Sequence, residues 1–408
     1  MQFRHTRRSV LVTGVAVVAL AAGGTALAVT RGHDNASRTA AATGQEPGTA
    51  LEADATATAT PSAGAAAKSP TRPAKRPTKH PKPTPSPTPT ATSTTTTTPQ
   101  PTQTTQPTAE PTWSPTGPAQ GNPLAMTGGL YVDPQSEPAY WVSSHPTDSR
   151  RTAIKNGIAD VPMARWYNGN SEDASDARSY VAAADAANKL PALVAYNIPG
   201  RGCGGGEGAG SADAYRAWVD GLAAAIGSRP AVVVLEPDAL PQLGCLSSTA
   251  QSTRLALLGY AVDRFAAAAP NTWTYLDAGH DAWTPAATMA ARLKAAHVAN
   301  ARGFSLNVSN YQSTARNVSY AQAVDASLGM SKAFVIDVSR NGRPLEGDDW
   351  CNPSGELIGP APRAGGATGL DLQLWVKPPG ESDGDCGIGA GTYAGEFVPS
   401  IAMKLLGY

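Results

Sequence analysis

Hydrophobic positions in this chain of 408 residues change their rhythm near residue 120. Beyond it, short aliphatic or aromatic runs recur at 129–132, 162–167, 190–197, 231–236, 272–276, 303–308, 333–338 and 372–377. Runs such as Ala231-Val232-Val233-Val234-Leu235 are apolar throughout, as expected of parallel strands buried on both faces. Ala-rich stretches between them, at 176–188, 212–226, 253–268 and 284–296, read as helices. Strand and helix alternating over this length predict an α/β fold, a barrel of TIM type, with an open doubly wound sheet as the alternative. No Gly-x-Gly-x-x-Gly turn follows the first strand, and the Gly-rich segment 204–210 lacks the following Asp/Glu context of a dinucleotide-binding turn.

The first 120 residues read differently. Arg4, Arg7 and Arg8 precede an apolar run at 10–28 that ends in Ala26-Leu27-Ala28, the pattern of an export signal with a small-residue cleavage site. An uncleaved membrane anchor is the alternative, because the run approaches spanning length. Residues 29–120 are Ala/Thr/Pro-rich, with tracts such as 83–101, and offer too few apolar side chains to offset the entropy of ordering. A disordered, Pro-stiffened tether is expected there, followed by one globular domain at 121–408 that is long enough for a sizeable core. The whole protein is expected to be secreted, or held at the cell surface if the signal remains.

Charge sharpens this division. The net charge is +0, but 11 Lys/Arg against 5 Asp/Glu before residue 121 give that arm +6, leaving −6 on the body. The basic stretch 68–82 has no interleaved aromatics for base stacking, so a solvated linker or an anionic wall contact is expected and nucleic acid is not. Cys203, Cys245, Cys351 and Cys386 all lie in the body. Behind an export signal, an even number predicts two disulfides, and no CxxC spacing suggests zinc.

In an α/β barrel the chemistry collects where strands end. Asp238, Asp277 and Asp337 close three predicted strands, and Asp383 follows the last one. A single such Asp is commonly a helix cap, but several converging on one rim point to a site, since crowded like charges are destabilising unless used. Carboxylates without His or Cys ligands suit glycoside hydrolysis, in which one carboxyl is held protonated for the leaving oxygen and another favours the attacking water. Magnesium is the rival use, but no phosphate-binding loop accompanies the cluster. Tyr131, Trp283 and Trp350 lie beside these segments, where aromatic faces suit pyranose rings. Trp166 and Trp218 fall within predicted elements and read as core.

Several motifs in combination resemble glycoside hydrolase family 6, the inverting endoglucanases and cellobiohydrolases. They are Val194-Ala195-Tyr196-Asn197-Ile198-Pro199-Gly200-Arg201, Glu236-Pro237-Asp238, Leu276-Asp277-Ala278-Gly279-His280, the segment 307–311, Asp337-Val338-Ser339-Arg340-Asn341-Gly342, Trp350-Cys351-Asn352-Pro353 and the segment 375–384. The resemblance covers 121–408 and implies a distorted (β/α) barrel with fewer than eight regular strands. It implies Asp238 as general acid, Asp383 as base or electrostatic partner, Asp277 as a supporting carboxylate, and Tyr196 next to the scissile subsite. Tyr131, Asp133, His280, Trp283, Asn307, Trp350, Lys377 and Glu381 match sugar-contacting positions. Cys203 would pair with Cys245 and Cys351 with Cys386. A monomer acting on β-1,4-glucan, without metal or cofactor, is implied.

There is one departure from the pattern. Where the family usually reads Arg-Asp-Cys, this chain has Arg201-Gly202-Cys203, so a carboxylate near the acid is missing. The loop 204–210 also lacks the serine expected to order the catalytic water, and Glu207 or Ser211 are the candidates to stand in. Loss of a charge-assisted partner costs on the order of 2–4 kcal/mol in a barrier, so weak or pH-shifted activity is expected. Short connections around Trp283 and after Asp383, and no second Trp soon after Trp283, predict an open cleft and internal cleavage. A cellobiohydrolase, or a glucan-binding wall protein with weakened catalysis, are the alternatives.

Overall fold

The computed structural model describes residues 123–408, apart from 205, 344 and 346–348. The segments expected to be an export signal and a tether, at 1–120, lie outside the described residues. Eight strands form one sheet: β1 Arg165–Tyr167, β2 Ala192–Ala195, β3 Ala231–Leu235, β4 Thr272–Asp277, β5 Gly303–Leu306, β6 Ala333–Asp337, β7 Arg363–Ala364 and β8 Leu370–Leu374. Their order is β1-β2-β3-β4-β5-β6-β8-β7. Every pairing is parallel except that of the two-residue β7, which folds back antiparallel on β8. The wall therefore consists of seven parallel strands. The predicted strand at 129–132 contributes a single bridge, Leu130 to Leu190.

The sheet curls until its ends meet. Ala164, just before β1, donates its backbone N–H to the Trp375 carbonyl just after β8 at 2.9 Å, and the Trp166 indole donates to the Val376 carbonyl at 2.8 Å. Side-chain alternation along strands then makes two apolar layers. Val194, Val232, Val234, Trp273, Tyr275, Val335 and Leu374 face the barrel interior. Leu193, Leu235, Leu276, Phe304 and Ile336 face outward and pack against the helices. Removing one of these aliphatic side chains would cost on the order of 2–5 kcal/mol. The walls close tightly at Gly303, where an added Cβ would lie 1.6 Å from the Ala333 carbonyl oxygen.

Helices Asp173–Ala186, Ala212–Ile226, Ser248–Ala268, Ala286–Ala295 and Thr314–Leu328 cover the outer face. Three begin at a serine that accepts a backbone N–H: Ser211 from Ala214, Ser247 from Ala250 and Ser313 from Arg316. Helix Thr314–Leu328 stops at Gly329 in the left-handed conformation. Two disulfides are present, Cys203–Cys245 and Cys351–Cys386, with Cα atoms 5.6 and 5.9 Å apart.

Candidate active site

Because the wall strands run in one direction, their carboxyl ends share one rim. A cleft of about 1010 Å³ opens there, lined among others by Trp166, Tyr196, Asp238, His280, Trp283, Trp350, Lys377, Glu381 and Asp383. Asp133 lines it too. Three other expected site residues stand back from it. Tyr131 meets the Tyr180 ring edge-on at 5.6 Å. Asp277 lies beneath the floor, and Asn307 is fully buried, donating to the Asp337 carbonyl at 2.8 Å and accepting the Gln312 N–H at 3.0 Å.

The turn after β3 shapes the centre of the site. Glu236 and Asp238 both have left-handed φ, +51° and +72°, a conformation that costs non-glycine residues of order 1–3 kcal/mol and clusters at functional sites. The turn sends neighbouring carboxyls in opposite directions. Glu236 is fully buried and accepts the backbone N–H groups of Asn197 and Ile198 at 3.0 and 2.9 Å, which fixes the segment that carries Tyr196 and Arg201. Asp238 points into the cleft. Burial, and then the charge of Asp383, push its carboxyl up to about 6. Asp277 accepts the Asp238 N–H at 2.9 Å and the Ser305 hydroxyl at 3.2 Å; burial and the Asp238 charge raise it as well.

Asp383 is held differently. Arg340, with its side chain 1% exposed, donates to both its oxygens at 3.0 and 2.8 Å. The Tyr311 hydroxyl at 3.3 Å and the Asn352 N–H at 3.1 Å add two more donors. Asn352 answers with its side-chain oxygen, which accepts the Asp383 N–H at 2.9 Å. Arg340 and Tyr311 lie inside motifs noted in the sequence, but no sequence signal marks Arg340 as the partner of a residue 43 positions away. Asp337 serves the structure: fully buried, it accepts the N–H groups of Ser309, Ser339, Val376 and Lys377, tying the ends of β5, β6 and β8 together.

The cleft walls combine rings and ions. Trp166 stands on the cleft wall, unlike its expected place in the core, and meets Tyr196 edge-on with centroids 5.4 Å apart. Trp218 does join the core margin, its indole bonded to Asp173 at 2.9 Å. Trp283 and Trp350 are exposed on the rim, at 38% and 56%, where flat rings can meet a sugar face. Asp133 is bound through Arg165, which also grips Asp176, and Lys377 pairs with Glu381 at 3.3 Å. Ser211 is committed as a helix cap, accepting the Ala214 N–H at 3.1 Å.

A half-buried acid pushed up to about 6, opposite a carboxylate locked to a buried guanidinium, is equipped for acid-assisted cleavage of a bond lying in the cleft. Comparison with known proteins agrees. The profile of glycosyl hydrolases family 6 matches residues 127–406. Endoglucanase 1 of Streptomyces halstedii is 48% identical over 70% of this chain and 90% of its own length. Endoglucanase A of Thermobispora bispora is 45% identical over 68% of this chain and 61% of its length. The solved endoglucanase Cel6 from Mycobacterium tuberculosis, in complex with methyl-cellobiosyl-4-deoxy-4-thio-β-D-cellobioside, superposes with a TM-score of 0.65 at 37% identity, covering 70% of this chain and 99% of that one. With the family profile spanning nearly the whole barrel and a carboxylate cleft at its rim, this chain belongs to glycosyl hydrolase family 6.

Proposed function

We propose that the chain is a secreted endo-1,4-β-glucanase that cleaves internal bonds of a cellulose-type glucan with inversion, Asp238 acting as general acid. The observation that carries this reading is the contrast between Asp238, pushed up to about 6 by burial and the Asp383 charge, and Asp383, clamped by Arg340 across the same cleft. Water attacks the anomeric carbon from one face while the glycosidic oxygen leaves from the other and takes the Asp238 proton. Asp277 supports the acid from below through the Asp238 N–H. Tyr196 flanks the scissile bond, and His280, Trp283, Trp350, Lys377, Glu381 and Asp133 hold sugars along the cleft, with Tyr131 and Asn307 shaping its walls. The endoglucanase names of the relatives at 48% and 45% identity support internal cleavage, and so does a cleft whose rim tryptophans remain exposed. The basic, apolar amino terminus supports export, and the chain acts as a monomer.

The test is a time course of viscosity and reducing ends on carboxymethylcellulose, wild type beside Asp238→Asn. An early fall in viscosity that the substitution abolishes is expected. Release of cellobiose from the first minutes with little loss of viscosity would refute internal cleavage, and intact binding without hydrolysis would leave a glucan-binding protein.

A further inference from the structure

An inverting reaction needs an acceptor for the proton of the attacking water, and the carboxylates lining the cleft are unequally free to take it. Asp133 and Asp176 are bound to Arg165, and Glu381 is bound to Lys377. Asp383 accepts from Arg340, Tyr311 and Asn352, so both its oxygens are already engaged by fixed donors. Glu137 lies toward Glu381, whose carboxyl feels its charge. Glu207 instead lines the cleft on the side of Tyr196, whose hydroxyl feels both it and Asp238, with its side chain 65% exposed and one loose ion pair, to Arg201 at 3.7 Å.

Backbone hydrogen bonds nonetheless hold Glu207 and the residues that follow it. The Gly200 N–H donates to the Glu207 carbonyl at 2.8 Å, and the Ala209 N–H to the Asn197 carbonyl at 2.9 Å. Gly208 fits so closely that an added Cβ would lie 2.1 Å from the Ile198 carbonyl oxygen. The Cys203–Cys245 bond ties the loop to the segment that follows Asp238. The Arg201 guanidinium lies 4.3 Å over the Tyr196 ring, and the Tyr196 hydroxyl feels the charges of both Asp238 and Glu207. Gly202, left-handed at φ +67°, faces Glu207: a Cβ built there would lie 3.5 Å from Glu207 Oε2. The glutamate thus reaches the space that a short acidic side chain at 202 would occupy.

Building on the endoglucanase reading, we propose that Glu207 is the catalytic base of this enzyme. A water lone pair attacks the anomeric carbon and the C1–O bond breaks. Its electron pair goes to the leaving oxygen, which takes the Asp238 proton, while the water proton passes to Glu207, directly or through one further water. Solvent then resets both carboxyls.

The experiment compares wild type, Glu207→Gln and the double variant Gly202→Asp/Glu207→Gln on cellotetraose and on 2,4-dinitrophenyl β-cellobioside, with and without azide. General-base catalysis is worth about 10²–10⁴-fold, so Glu207→Gln should lose that much in kcat on both substrates with KM little changed. Azide, which has no proton to shed, should restore turnover and yield the α-configured glycosyl azide. Gly202→Asp should restore hydrolysis at least in part, since Asp tolerates left-handed φ. An active wild type with Glu207→Gln within about threefold of it overturns the inference and leaves the endoglucanase reading standing. So does a loss confined to cellotetraose, which would put Glu207 on the acid step, or a loss that neither azide nor Gly202→Asp reverses, which would make it structural. A wild type inactive on both substrates overturns the endoglucanase reading and this inference together.

Discussion

Two neighbouring carboxyls, Glu236 and Asp238, illustrate how far surroundings decide chemistry at the scale of a residue. Burial pushes Glu236 up to about 7, and burial with the Asp383 charge pushes Asp238 up to about 6. Asp238 must hold its proton to act, so kcat on cello-oligosaccharides should fall as pH rises through about 6. In Asp383→Asn the charge that disfavours ionised Asp238 is gone, and the alkaline limb of the pH–rate profile should move to lower pH. A limb that stays put would dissociate it from Asp238. Glu236 bears on stability. Its folded-state value lies above the ordinary 4.5, so its contribution is fully present below that value and is lost as pH rises through about 7. Melting temperature should decline across this window, and less steeply in Glu236→Gln. The sequence displayed Asp238, Asp277 and Asp383, since carboxylates at strand ends announce themselves. It could not display Arg340 beneath Asp383 or Glu236 beneath Asn197, because partners brought together by the closing of a barrel leave no local pattern.

Among elements, the strands were the most readable, because runs such as 231–235 are buried on both faces and need no partner to be recognised. Helices with long Ala-rich cores were readable too; Ala212–Ile226 starts and stops where expected. Glu137–Ser144, Thr314–Leu328 and Pro399–Leu405 went unmarked, the first and last because they are only two turns long, the middle one because polar residues interrupt its apolar positions. Ser211 shows how an element can claim a residue that chemistry also wants. Its hydroxyl caps Ala212–Ile226, so Ser211→Ala should cost about 1 kcal/mol in urea denaturation while kcat stays within twofold. A large loss of kcat at unchanged stability would return the serine to the water-ordering role that the sequence allowed.

The described residues form a seven-stranded parallel wall with a short antiparallel addition, as an α/β reading with fewer than eight regular strands foresaw. Its rim is held from two sides by covalent links. Cys203–Cys245 joins the Glu207 loop to the segment after Asp238, and Cys351–Cys386 joins the Trp350 segment to the loop of Asp383. Each closes a loop of roughly 35–45 residues, worth on the order of 3–4 kcal/mol in chain entropy. With dithiothreitol, activity on carboxymethylcellulose should fall at temperatures where circular dichroism still reports a folded barrel, because the links lie at the rim and the hydrophobic layers below do not depend on them. Simultaneous loss of both signals would show that the rim and the barrel unfold as one.

These bonds also give the enzyme a clock. On that expectation, a chain whose thiols are still reduced has all its carboxyls but lacks the covalent links across its rim, and it folds its barrel before it can cut. If reduction silences the enzyme as expected, cutting begins only once these two bonds have formed.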